Sequence, residues 1–93
     1  MKESTLQRKV IALLREQGAY VFKVVGSPLQ QRGTPDLLVC YQGRFLALEL
    51  KRPGEKSTPL QEYEMQKVRT ALGSAYRVES VAEVGEYLKE ISA

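Results

Sequence analysis

The sequence predicts an α/β domain in which a short central sheet is flanked by helices, in the order α-β-β-β-α-β-α. Three observations carry that prediction. Apolar residues recur at helical spacing near both ends of the chain, two short apolar runs flank a two-residue turn in its middle, and a well-signed helix start follows them. At 93 residues the chain has the length of one domain, residues 1–93, built around a single core.

Each element has its own signal. The first helix is predicted from about Ser4 to Gln17, with Leu6, Val10, Leu13 and Leu14 as its apolar stripe and Gly18 as its stop. A β-rich run, 20-YVFKVV-25, leads into the polar loop 26-GSPLQQRGTP-35. The runs 37-LLVCY-41 and 45-FLALEL-50 flank Gln42-Gly43 and read as a hairpin. After the basic loop 51-KRPGEKS-57, Thr58 is a helix N-cap, Pro59 takes the first helical position and Gln61 completes a capping box. That helix is expected to end near Leu72, with Met65, Val68 and Leu72 on the stripe of Gln61. A strand over 75-AYRV-78 precedes a last helix, capped by Ser80 and Glu83, that carries Val81, Val84, Leu88 and Ile91 inward.

Composition narrows the chemistry by what is missing. With 43% hydrophobic and 27% charged residues the chain is an ordinary globular sequence, and its net charge of +3 permits an acidic polymer as partner without requiring one. There is no histidine, which excludes histidine bases and histidine metal ligands. The single cysteine, Cys40, excludes an internal disulfide and a cysteine zinc site, and its place in an apolar strand predicts a buried, inert thiol. No apolar run reaches the roughly 18 residues of a membrane span, and residues 1–16 are not signal-like, so no membrane contact and a cytoplasmic location are expected. Any metal must be held by oxygen.

The hairpin gathers charge where a core is expected. A turn at Gln42-Gly43 pairs Tyr41 with Arg44, and the same register carried back places Asp36 opposite Glu49. Lys51, two residues on, points to the same face. That face also carries Leu38, Cys40, Phe45 and Ala47, while Leu37, Val39, Leu46, Leu48 and Leu50 line the other, so the sheet is expected to be covered on both sides. Two carboxylates this close repel, and burying them unpaired costs several kcal/mol. Lys51 alone can compensate as a structural ion cluster. A hard divalent cation such as Mg²⁺ compensates with the carboxylates and the Leu50 carbonyl as ligands. Glu3, on the extension of the first helix's inward stripe, and Gln61, on the inward stripe of the second, converge on the same corner. Each also has a purely structural use: Glu3 favours the helix dipole and Gln61 caps its helix.

The succession Glu3, Gly33-Thr-Pro-Asp36, Glu49-Leu-Lys51, Gln61 resembles the virus-type replication-repair nuclease (VRR-NUC) domain of the PD-(D/E)xK nuclease superfamily, and the resemblance covers nearly the whole chain. Pro35-Asp36 matches the family's PD, Glu49-x-Lys51 its (D/E)xK, Glu3 and Gln61 its flanking acid and glutamine, and 73-GSAYRVESVAEV-84 its closing strand and helix. The resemblance implies a restriction-endonuclease-like α-β-β-β-α-β core with a C-terminal helix and a mixed central sheet. It implies an Mg²⁺- or Mn²⁺-dependent endonuclease with Asp36, Glu49 and the Leu50 carbonyl on the metal and Glu3 on it directly or through water. Lys51 would position the attacking water and stabilise developing charge, and Gln61 would hydrogen-bond water or phosphate.

Stand-alone members of this length resemble viral enzymes that form homodimers and cut four-way DNA junctions, which implies a Holliday junction resolvase acting in the host cytoplasm. A flap- or nick-cutting nuclease of the same fold and a non-catalytic DNA-binding module are the alternatives. For contacts to the DNA backbone the sequence offers Arg32, Lys51, Arg52, Lys56 and Lys23, with Lys67, Arg69 and Arg77 as further candidates. Without a base-reading module, recognition of shape rather than sequence is expected.

Overall fold

The computed structural model describes residues 2–26 and 33–93. Seven elements follow in the predicted order: α1 (Glu3–Glu16), β1 (Tyr20–Lys23), β2 (Leu37–Tyr41), β3 (Arg44–Leu50), α2 (Pro59–Thr70), β4 (Ser74–Val78) and α3 (Val81–Ser92). The sheet is mixed, in the order β1-β2-β3-β4, with β1-β2 and β2-β3 antiparallel and β3-β4 parallel. The parallel pair needs a crossover, and α2 supplies it. This is an α/β arrangement of the restriction-endonuclease-like kind. No helix among the described residues is long and apolar enough to cross a membrane.

Two layers of core follow from strand alternation. Leu37, Val39, Leu46, Leu48, Leu50 and Val78 point to one side, where Leu6, Val10 and Leu14 of α1 and Val84, Leu88 and Ile91 of α3 close over them. Tyr76 of β4 stacks on Tyr87 of α3, with ring centroids 4.0 Å apart and planes 8° from parallel. Such a pair adds about 0.5–1.5 kcal/mol to the area it buries. The second layer is small: Met65 of α2 over Ala47 and Ala75, flanked by Leu38 and Val68.

Several expectations need correction here. The sheet is not covered on both sides, because α2 packs on β3 and β4 and does not reach β1 or β2. Cys40, expected to be buried, is therefore exposed. The second helix stops earlier than expected. Leu72 does not belong to its inward stripe but lies beyond the C-cap Ala71, in the left-handed region at φ 72° and fully in solvent. At α3 the cap is shared: Ser80 Oγ accepts from Glu83 N–H at 3.3 Å, but the Glu83 carboxylate accepts from Glu79 rather than from Ser80, at 2.8 Å. Val81 is only half-buried.

Candidate active site

The hairpin turn is the predicted one. Tyr41 pairs with Arg44, and the register runs unbroken back to Leu37 opposite Leu48. Gln42 and Gly43 both take positive φ, 50° and 77°, as a two-residue turn between right-twisted strands demands. One residue further back the strand departs from the ladder. Asp36 N–H donates to the Leu48 carbonyl at 3.0 Å, so Asp36 and Leu37 both address Leu48, the two-against-one arrangement of a bulge. Asp36 is therefore not simply the cross-strand partner of Glu49. Its carboxylate turns onto β3 and accepts from Leu50 N–H at 2.7 Å, while its carbonyl accepts from Val24 N–H at 2.9 Å. Every backbone polar group of Asp36 is engaged, which makes the side chain a fixed feature of the sheet rather than of a loop.

The two carboxyls meet despite the bulge. Glu49 lies in β3, 2% exposed, and its carboxyl is pushed up to about 8. Burial is the main cause, and the charge and proximity of Asp36 add to it; Lys51 pulls in the opposite direction and Glu3 pushes slightly upward. Lys51, 7% exposed, follows at the end of β3, where its N–H donates to the Val78 carbonyl at 2.8 Å. Both residues are tied to β4, Glu49 as the partner of Arg77 in the parallel ladder and Lys51 through that backbone bond.

Gln61 reaches the pair from α2. The capping box forms as predicted: Thr58 Oγ1 accepts from Gln61 N–H at 3.1 Å, and Gln61 Oε1 accepts from Thr58 N–H at 2.8 Å. The other half of the same amide, Nε2, donates to Glu49 Oε1 at 2.9 Å. Capping and site contact thus coexist in one side chain. The close approach of the two motifs depends on Gly33, at φ 81°, where a Cβ would stand 2.6 Å from the Leu60 carbonyl oxygen.

One oxygen is left over. Glu49 Oε2 is buried and has no hydrogen-bond partner among the described residues. A buried polar atom without a partner is costly, and here it belongs to an acid beside a second acid. A divalent cation fits this donor set: the free Glu49 oxygen, the Asp36 carboxylate and the neighbouring Leu50 carbonyl are all hard oxygen ligands. Glu3 opens α1, half-buried, and acts on Glu49 through its charge. Among the described residues no three acidic, histidine or cysteine side chains gather tightly enough to form a metal centre by themselves.

The structure separates the basic residues that sequence alone could not rank. Arg52 and Lys56 lie exposed in the loop after Lys51. Arg52 N–H donates to the Glu55 carboxylate at 3.1 Å, which folds that loop on itself. Lys23 pairs with Leu37 and so lies on the opposite sheet face from Glu49, beside α1. Arg32 lies outside the described residues. The remaining candidates have internal partners. Lys67 pairs with Glu64 at 2.6 Å, Arg69 donates to the Ala75 carbonyl at 2.7 Å, and Arg77 donates to the Glu79 carboxylate and the Glu55 carbonyl. Lys9 was not among the candidates. It lines a cavity of about 400 Å³ together with Glu3, Leu6, Lys51 and Arg52, which brings a further cation to the site. Its only signal in the sequence was its position six residues, somewhat under two turns, after Glu3.

Comparison with known proteins bears on the fold and the family. Residues 1–81 match the model of the archaeal Holliday junction resolvase (Hjc) family. A putative nuclease, p44, of Acyrthosiphon pisum secondary endosymbiont phage 1 is 37% identical over 62 residues, which span 66% of this chain and 64% of that protein. Among solved structures, a VRR_NUC domain superposes over 94% of both chains with a TM-score of 0.79 and 25% identity. The Hjc Holliday junction resolvase of Archaeoglobus fulgidus superposes over 83% of this chain and 67% of its own with a TM-score of 0.65. Its 21% identity speaks for a common fold.

Proposed function

We propose that this chain, which belongs to the archaeal Holliday junction resolvase family and is a nuclease of the restriction-endonuclease-like fold, is a homodimeric, Mg²⁺-dependent endonuclease that resolves four-way DNA junctions. The observation that carries the reading is the meeting of half-buried Asp36 with buried Glu49, one Glu49 oxygen having no partner among the described residues and Lys51 being buried beside them. Asp36, Glu49 and the Leu50 carbonyl would hold the metal, which when bound would supply Lewis acidity at the scissile phosphate and make a water nucleophilic. Mn²⁺ suits the same ligands.

The chain's own residues have separable tasks. Glu49 gives up its proton to accept the cation. Gln61 fixes the plane of the Glu49 carboxylate through Oε1 and leaves Oε2 for the cation. The Lys51 ammonium orients the attacking water and offsets charge on the phosphate as the water oxygen bonds to phosphorus and the P–O bond to the leaving strand breaks. Glu3 would hold the metal directly or through a water. Arg52, Lys56 and Lys9 contact neighbouring phosphates, which carry position rather than sequence. A four-way junction has two-fold symmetry, and a two-fold dimer meets it with two sites and makes paired nicks. A decayed, merely DNA-binding relative would have no reason to keep the Asp36, Glu49 and Lys51 set together.

The test is cleavage of a labelled four-way junction in Mg²⁺ or Mn²⁺, beside flap, nicked and plain duplexes, with an Asp36→Ala control. Paired nicks on the junction, lost in the control, are expected. Cutting of flaps instead would keep the site and overturn the resolvase assignment. Binding without any cleavage would leave a non-catalytic module.

A further inference from the structure

Arg77 stands directly across the parallel ladder from Glu49. Ala75, two residues before it, packs with Met65 of α2, so Arg77 leaves the sheet on the same face as Glu49. A guanidinium so placed has the reach and the geometry to pair with a carboxylate. Its two terminal nitrogens instead go elsewhere. Nη1 donates to the Glu79 carboxylate, just past the end of β4, and Nη2 donates to the Glu55 carbonyl, in the loop between β3 and α2. The charges that act on Glu49 are accordingly those of Asp36, Lys51 and Glu3.

The loop that Arg77 reaches is a compact turn. Glu55 N–H donates to the Arg52 carbonyl at 3.0 Å, Arg52 N–H donates to the Glu55 carboxylate at 3.1 Å, and Gly54 takes φ 82° between them. These bonds shape the turn without attaching it to the rest of the fold. Among the described residues, the bond from Arg77 is the one hydrogen bond that joins residues 52–57 to the sheet or a helix. Its anchor is itself fixed. The Arg77 carbonyl accepts from the Tyr87 hydroxyl of α3 at 3.3 Å, and Glu79 N–H donates to the Glu83 carboxylate at 2.8 Å. The loop held in this way carries the two exposed cations nearest in sequence to Lys51, namely Arg52 and Lys56.

We infer that Arg77 is a positioning residue: it braces the loop 52–57 against β4 and so holds Arg52 and Lys56 ready for the phosphates flanking the scissile bond, without contacting the DNA itself. The inference rests on the nuclease reading above and deepens it. An arginine suits the task because its planar fork holds two acceptors at a fixed separation, which a lysine ammonium does not. Both acceptors here are protein atoms, so the charge of Arg77 serves the fold and that of Arg52 and Lys56 is left for the substrate. A loop ordered in advance also binds better than one that must be ordered on contact, because the entropy of ordering is not set against the affinity.

The experiment compares the full chain with Arg77→Met, Arg77→Lys, the pair Arg52→Gln/Lys56→Gln, that pair combined with Arg77→Met, and Lys89→Met, with circular dichroism to verify folding. Lys89 is 78% exposed toward the end of α3, where Ser92 bonds Tyr41 beside the hairpin turn, so its loss removes one charge away from the site. Two quantities are read: tryptic cutting at Lys56–Ser57 relative to the other tryptic sites, by mass spectrometry, and kcat and KM for junction cleavage. Arg77→Met and Arg77→Lys are both expected to speed the Lys56 cut about fivefold or more and to raise KM about tenfold with kcat little changed, as for loss of uniform binding. On top of Arg52→Gln/Lys56→Gln, Arg77→Met is expected to raise KM no further, because the residues it positions are already gone. Lys89→Met leaves both quantities as in the parent. Should Arg77→Met not fold, Arg77→Lys decides. An unchanged Lys56 cut in the folded variants overturns the inference. Recovery of the parent KM by Arg77→Lys, or an additive effect in the combination, also overturns it, since either makes Arg77 a direct phosphate contact. If the cut quickens while no form cleaves a junction, the brace stands and the nuclease reading falls. If every form cleaves junctions and the cut does not quicken, the reverse holds.

Discussion

Gln61 joins Glu49 to the start of α2: its Nε2 donates to Glu49 Oε1 at 2.9 Å, and its Oε1 accepts from Thr58 N–H at 2.8 Å. The helix cap and the orientation of the Glu49 carboxylate are one structure. Gln61→Ala removes both. Loss of the cap is expected to cost about 1 kcal/mol of stability, and loss of the Glu49 contact to weaken Mg²⁺ binding about 10–100-fold. Thermal melts and isothermal titration separate the two effects. A lower melting point with unchanged Mg²⁺ affinity would reduce Gln61 to a cap.

The Glu49 carboxyl, ordinarily near 4.5 and here near 8, ties stability and metal binding to pH in opposite senses. Between these values the folded chain holds a proton that the unfolded chain has lost. Metal-free stability is therefore full at acid pH and declines as pH rises from about 4.5 to about 8, by at most about 1.4 kcal/mol per pH unit. A cation needs the ionised form, so Mg²⁺ affinity climbs over the same window, about tenfold per unit where Glu49 is mostly protonated, with a proton released on binding. Melting points measured across pH with EDTA and with Mg²⁺ are expected to converge in acid and separate toward pH 8. Parallel curves would sink the assignment.

Asp36 and Lys51 act on Glu49 with opposite sign. Asp36→Asn keeps an oxygen for Leu50 N–H and removes the neighbouring charge. It is expected to lower the Glu49 carboxyl toward its ordinary range, to raise metal-free stability near pH 8, and to cut cleavage by about 1000-fold or more through loss of a ligand. Lys51→Met keeps most of the buried volume and removes the charge that pulls Glu49 down. It is expected to raise the Glu49 carboxyl further and to weaken Mg²⁺ binding at pH 7. Carbon-13 titration of the Glu49 carboxyl reads both shifts. Movement of the two variants in the same direction contradicts the electrostatic account.

Gly33 and Gly43 both take positive φ, 81° and 77°, but only Gly33 has a neighbour in the way, the Leu60 carbonyl. Gly43→Ala is expected to cost about 1 kcal/mol from backbone strain alone, and Gly33→Ala more, about 2–3 kcal/mol, because the loop must also move off α2. That movement separates Asp36 from Gln61, so cleavage by Gly33→Ala is expected to fall further than its stability loss explains. Equal effects at the two glycines would show that the close approach is unimportant.

Much of the site was legible in one dimension because its parts are local. The turn at Gln42-Gly43, the cap Thr58-Pro59-x-Gln61 and the two apolar runs each obey short-range rules, and together they fix the hairpin register and bring Asp36, Glu49, Lys51 and Gln61 to one corner. What the register could not show was the bulge at Asp36, since an extra residue in a strand changes no apolar alternation downstream of it. The rank of the basic residues was hidden for a related reason. Lys67, Arg69 and Arg77 carry the same charge in sequence as Arg52 and Lys56, and only the fold shows the internal partners that engage them.

The sequence by itself determined the order of elements, the charged corner and the family to which these belong, because capping, turn chemistry and strand alternation act over a few residues. The tertiary structure alone decided which sheet face is left open. Alternation marks Tyr20, Phe22, Cys40 and Phe45 as one apolar face, but whether a helix lies over that face depends on where the crossover α2 lands. A single helix about 10 Å wide, lying over β3 and β4, covers strands about 4.8 Å apart two at a time and leaves β1 and the outer side of β2 open.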